Sequence, residues 1–71
     1  MQDIRLATVL VIRKGGKYLS RVEKGTGMVI WDPHLSDAWR TRDKVLARML
    51  AKKHGGTLEL FNPIIWRVKA L

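Results

Sequence analysis

The chain has no cysteine, only two prolines, and six carboxylate side chains against fourteen lysines and arginines. Each shortage excludes something. Without thiols there is no disulfide and no thiolate metal site. A chain of 71 residues is one domain, and a domain of that size buries only about 60% of the surface its unfolded chain exposes, so packing or association has to hold it together. The lack of cysteine also fits a reducing cytoplasm, which is the expected location. The scarcity of acid leaves a formal net charge of +8 and a pI near 10.7. Such an excess attracts polyanions at long range.

Long apolar runs are missing too. None approaches the 18 or more residues of a membrane span, so no membrane partner is expected. Leu6 to Ile12, LATVLVI, is short for a secretion signal, follows Asp3 and Arg5, and meets no small-residue cleavage site before Arg13, Lys14 and two glycines. Its β-branched content and the Gly15-Gly16 pair mark a strand entering a hairpin instead. Ile4, Leu6, Thr8, Leu10 and Ile12 point one way and Arg5, Ala7, Val9, Val11 and Arg13 the other. Both faces are apolar in the middle, which predicts a strand central in a covered sheet or pressed against another subunit, because a chain this short has few residues to cover both sides.

The strongest local signal is Thr41 to Gly56, TRDKVLARMLAKKHGG. It predicts a helix, with Thr41 as N-cap, Asp43 in the first turn, Lys52, Lys53 and His54 in the last, and Gly55 as the stop. Val45, Leu46, Met49 and Leu50 share one sector at 100° per residue and are expected to lie on a sheet. The other side carries Lys44, Arg48 and Lys52, with Ala47 and Ala51 beside them. Like charges at that spacing cost an isolated helix about 0.2–0.5 kcal/mol per pair, a strain that a phosphate or an acidic partner would relieve.

The remaining segments read as strands. Lys17 to Glu23 returns as a second strand, with Tyr18, Ser20 and Val22 on one face and Leu19 and Arg21 on the other. Met28 to Trp31 follows the Lys24 to Gly27 turn as a third and is closed by Asp32-Pro33. Leu35 to Arg40 reads as one helical turn, capped by Ser36, that packs Leu35, Ala38 and Trp39 under the main helix. Thr57 to Phe61 and, beyond Asn62-Pro63, Ile64 to Leu71 complete the set. The expected fold is α+β, a small antiparallel sheet in the order β-β-β-α-β-β with one helix on one face and the whole of residues 1–71 in a single domain.

The succession GGKYL, a Trp after a short turn, LSDAWR, and a capped helix ending KKHGG before a strand resembles a group of small phage and prophage proteins, mostly uncharacterised. The resemblance runs from about Lys14 to Leu60. It implies a mobile-element origin and a bacterial host cytoplasm. It implies a role in binding, such as blocking a host defence protein or sequestering its nucleotide signal, and brings no catalytic motif.

The raw materials for catalysis are thin. Asp32, His34 and Asp37 form D-x-H-x-x-D, three donors for a divalent metal in principle, but turn formation and helix capping explain the two aspartates without chemistry. His54 has no orienting carboxylate nearby in sequence. No catalytic residues, metal or cofactor are therefore expected. GxG at Gly25 and Gly27, with no helix after it, reads as a turn and not as a phosphate loop.

Charge combined with aromatic surface points to a phosphate-rich ligand, either nucleic acid or a nucleotide. The expected ligand-binding residues are Arg40, Arg42, Lys44, Arg48 and Lys52, with Trp39 and Trp66 as stacking groups and Lys14, Lys17 and Arg21 as a second basic patch around the first hairpin. Trp39 reads more readily as core, since Leu35 and Ala38 share its apolar side, and Trp66 as core or as an oligomer contact. Two other functions compete: an inhibitor whose cationic face docks on an acidic host protein, and an oligomeric structural phage component. A homo-oligomer is expected, and a symmetric one is compatible with the first reading, since it would set several basic helices around one ligand.

Overall fold

The computed structural model describes residues 7–71. Gly15, at φ 63°, makes the tight turn that joins β1 (Val9–Lys14) to β2 (Lys17–Val22). A turn through Gly25 and Gly27 then leads to β3 (Val29–Asp32). After a 3-10 turn at Leu35–Asp37 come the helix α1 (Lys44–His54), β4 (Thr57–Asn62) and β5 (Arg67–Ala70). The five strands form one antiparallel sheet in the order β3-β2-β1-β4-β5, so the expected α+β class and element order hold.

Strand β1 is central, and its alternation fills two cores. Leu10 and Ile12 meet Leu19, Leu58, Ala47 and Ala51 under α1, with Trp31, Trp39 and Leu50 packed at the rim. Val11 faces the other way with Phe61 and Ala38, joined by Tyr18, Leu35 and Val68. Val11 and Ile12 are both completely buried within one copy of the chain. The doubly apolar strand therefore requires no second subunit, because irregular segments close the face that α1 leaves open. Ile4, Arg5 and Leu6, assigned to this strand by alternation, lie outside the described residues.

Several expectations are corrected. The helix N-cap is Asp43, whose Oδ1 accepts the Leu46 N–H at 3.1 Å; Thr41 sits two residues earlier and its Oγ1 accepts the Asp43 N–H at 3.1 Å. Thr41 belongs to the sheet instead, exchanging backbone hydrogen bonds with Leu10 at 2.7 and 3.1 Å. The C-terminal stop is as expected. Gly55 takes φ 73° and the Gly56 N–H closes back on Ala51 O at 2.8 Å. Gly56 is also needed for space, because a Cβ there would lie 2.5 Å from Ile12 Cγ2.

The helix also lies on a different side from the one expected. Ala47 and Ala51 face the sheet with Leu50, whereas Val45 is 71% and Met49 62% exposed. The reason is steric. Leu10, Ile12, Leu58, Leu60, Trp31 and Trp39 already fill the sheet side, and only a helix surface of small residues comes close enough to exclude water from them.

The Leu35 to Arg40 segment makes one helical turn, of 3-10 type, but of its three apolar residues only Trp39 packs beneath α1. Its 3-10 turn has no side-chain cap from Ser36, and Leu35 and Ala38 pack on the opposite face of the sheet. Strands β1 and β2 pair only at Arg13–Tyr18 and Lys14–Lys17. Beyond that point the extended Trp39–Thr41 segment takes the place of β2 beside β1, with the Trp39 N–H on Leu19 O at 2.7 Å. An irregularity between Leu19 and Arg21 in the β2–β3 ladder brings Leu19 and Val22 onto the helix side together, where strict alternation had separated them. The final strand is shorter than expected, because Ile64 to Trp66 form the turn into it.

Candidate functional site

Strand alternation and helix rotation divide the cations among three surfaces. One flank of α1 carries Lys44, Arg48 and Lys52, all exposed, and Val45 and Met49 separate them from Lys53 on the outermost part of the helix. Among the described residues none of the three has a carboxylate partner. The ion pairs shown are Arg13–Glu59 at 3.4 Å and Arg21–Glu23 at 3.6 Å. Because Ala47 and Ala51 face the sheet, the row flanks the buried side of α1 instead of lying opposite it. Arg42, also exposed, precedes it.

Arg40 does not join that row. Its guanidinium carbon lies 4.9 Å from the centroid of the Phe61 ring, on the sheet face away from α1, with a weak 3.5 Å hydrogen bond to Ser36 O. Trp39, one residue earlier, turns to the helix side and packs into the core there. An extended segment sends neighbouring side chains to opposite faces. The run Trp39-Arg40-Thr41-Arg42 is thus not one cluster, and Trp39 is a core residue and not a stacking surface.

Trp66 is the indole left in solvent. It is 53% exposed and meets Phe61 edge-on, with centroids 5.0 Å apart and planes at 88°. The fold thereby brings Arg40 and Trp66, distant in sequence, onto the same buried phenyl ring.

The first-hairpin patch is divided as well. Lys14 and Lys17 are ladder partners on the helix side, where Lys14 Nζ stands 5.6 Å from the Trp31 ring. Arg21 pairs across from Ile30 and points to the other face, ion-paired to Glu23. Beside this hairpin an open cavity of about 300 Å³ is lined by Arg13, Lys14, Gly15, Gly55, Thr57 and Glu59. Glu59 is buried, and its Oε1 has no hydrogen-bond partner.

Two cations escaped the sequence-based selection. Arg67 and Lys69, on the helix side of the edge strand β5, line a cavity of about 380 Å³ with Thr8, Leu60, Asn62, Ile65 and Val68. Trp66, Val68 and Ala70 alternate with them along the tail. What was not visible is that pairing of β5 with β4 would set them over Leu60 and Asn62.

Among the described residues no group of three His, Asp or Glu is placed to hold a metal ion. Asp32 Oδ1 accepts the His34 N–H at 2.8 Å and so serves the turn that sequence alone suggested for it. No described helix is long and apolar enough to cross a membrane.

No protein-family model matches the chain, and neither a curated protein nor a solved structure does.

Proposed function

We propose that this is a small, non-enzymatic binding protein of phage type that recognises a phosphate-rich ligand, nucleic acid before free nucleotide, in a bacterial cytoplasm. One observation carries the reading: Lys44, Arg48 and Lys52 run in a row along one flank of α1, exposed and without a carboxylate partner among the described residues. From Lys44 to Lys52 the row is about 12 Å long. A chain of phosphates lying along it would neutralise three like charges that otherwise repel one another. A single deep pocket is not needed, which suits a polymer better than a small molecule.

The test is a salt titration of binding to a single-stranded oligonucleotide. The triple variant Lys44→Gln, Arg48→Gln and Lys52→Gln is expected to reduce the slope of log K against log salt by about 2, since each phosphate contact on a single strand contributes about 0.7. Its thermal midpoint should stay close to that of the parent, as none of the three side chains is buried. An unchanged slope would sink the reading.

A second reading is favoured by Val45 and Met49, whose exposed side chains stand among these cations. It is a contact with an acidic host protein, such as a defence protein being inhibited. Apolar groups ringed by charge suit a protein interface better than a phosphate backbone.

A further inference from the structure

The end of the β4–β5 hairpin is built unlike the other turns. Asn62 Oδ1 accepts the N–H groups of Ile64 at 2.9 Å and Ile65 at 3.4 Å, which fixes the chain as it leaves β4. The turn closes at Trp66 with φ 53°, and Trp66 is the one described residue other than glycine with positive φ. A bulky side chain adopts that conformation only at a cost, and glycine or asparagine would meet the same turn without it. Burial does not offset the cost, since the indole is 53% exposed. Its edge-on contact with Phe61 does hold the ring in one orientation, and Arg40 lies over the same phenyl ring at 4.9 Å.

We infer that Trp66 and Arg40 form a platform for an unpaired base of single-stranded nucleic acid, with the base on the indole face and its phosphate on the guanidinium. This rests on the function proposed above and assigns a second contact to the same ligand. An indole in water offers a π-face that any base can cover, and a neighbouring arginine supplies the charge for the backbone. A duplex keeps its base faces stacked on one another, so the platform selects single strands. The topology also provides a path. The platform lies on the sheet face opposite α1, and the edge strand β5 separates the two, with Arg67 and Lys69 on its helix side. A strand lying on α1 can therefore cross β5 over those two cations and reach Trp66.

The experiment compares a labelled oligothymidylate with an abasic oligodeoxyribose phosphate of equal length, a matched duplex, and vesicles of anionic lipid. All are titrated with the full chain at a series of salt concentrations that includes the physiological one. Trp66→Ala is expected to weaken oligothymidylate binding about tenfold or more while leaving the abasic strand unchanged, and Trp66→Phe to retain most of the affinity. Indole quenching by oligothymidylate should be lost in Trp66→Phe, which keeps Trp31 and Trp39. Trp66→Gly tolerates the positive φ and removes the ring, so it separates loss of stacking from loss of fold and should behave like Trp66→Ala. Arg40→Gln should lower the salt slope by about 0.7.

Equal effects of Trp66→Gly on base-bearing and abasic strands would overturn the platform and leave the helix row standing. Equal binding of duplex and single strand by the parent would do the same. A shift of Trp66 emission on vesicles, with no preference for bases over abasic strand, would assign the turn to a lipid surface and overturn it too. If the parent binds no strand at any salt concentration, both the platform and the helix reading fall.

Discussion

The two faces of the sheet are closed by different means. One is covered by a single element, α1, whose own backbone bonds hold it together and whose alanines settle on Leu10, Ile12 and Leu58. The other is covered in pieces: Leu35 and Ala38 from a 3-10 turn, Val68 from the edge strand, and Arg40 and Trp66 over Phe61. Those pieces are tied to the sheet by individual hydrogen bonds, including Trp39 N–H to Leu19 O at 2.7 Å and the Ser20 hydroxyl to Asp37 O at 2.9 Å. The difference concerns how far stability and binding are separable. On the helix side Lys44, Arg48 and Lys52 are exposed and none of them belongs to the core beneath α1. On the other side Arg40 and Trp66 touch the core residue Phe61 directly.

The largest expected effect comes from breaking the pieced-together face at its centre. Phe61 is completely buried and carries both exposed groups, so Phe61→Ala should cost about 3–5 kcal/mol. For a chain of this length that is a large part of a total stability of roughly 4–11 kcal/mol. A urea titration should show a greatly lowered midpoint or no folded baseline. A shift below about 1 kcal/mol would mean that this face is not anchored through Phe61. The corresponding break on the helix side is milder. Ala47 is completely buried against the sheet, and Ala47→Leu should lift α1 and cost about 1–3 kcal/mol by overpacking. If Ala47→Leu proved as damaging as Phe61→Ala, the two faces would be equally tight and the contrast between them would fail.

The same contrast explains what was legible in the sequence. Elements whose signal is local were found: the glycine-turned first hairpin, the helix stop at Gly55, and the five strands in their order. The Lys44, Arg48 and Lys52 row was found because spacing on a helix is local too. The rotation of α1 was misread, since periodicity weighs Val45 and Met49 above Ala47 and Ala51. The decisive fact was the size of the sheet side chains opposite, which no single segment carries. The second face was missed for a related reason. Nothing in LSDAWR shows that β1 and β2 diverge after Arg13 and Tyr18 to admit Trp39 and Thr41. The pairing of Arg40 with Trp66 depends on that insertion and on the β4–β5 register at once, so it became readable only in three dimensions.

The smallest expected effect bears on the outer side of α1. Burying Val45 and Met49 would stabilise the fold by about 1.5–3 kcal/mol each, yet they are 71% and 62% exposed while alanines occupy the inner positions. The double variant Val45→Ser and Met49→Gln therefore removes almost no packing, and its stability should stay within about 0.5 kcal/mol of the parent by thermal or urea denaturation. A larger loss would mean that these side chains are covered in solution, by a second copy of the chain or by residues outside those described, and sedimentation at two concentrations would separate those cases. With stability unchanged, affinity becomes the informative quantity. Phosphates engage Lys44, Arg48 and Lys52 without apolar help, so oligonucleotide binding should be retained if the row acts on nucleic acid. An acidic protein partner would use Val45 and Met49 as its apolar centre, and truncating them would abolish that complex while leaving the salt dependence of oligonucleotide binding untouched.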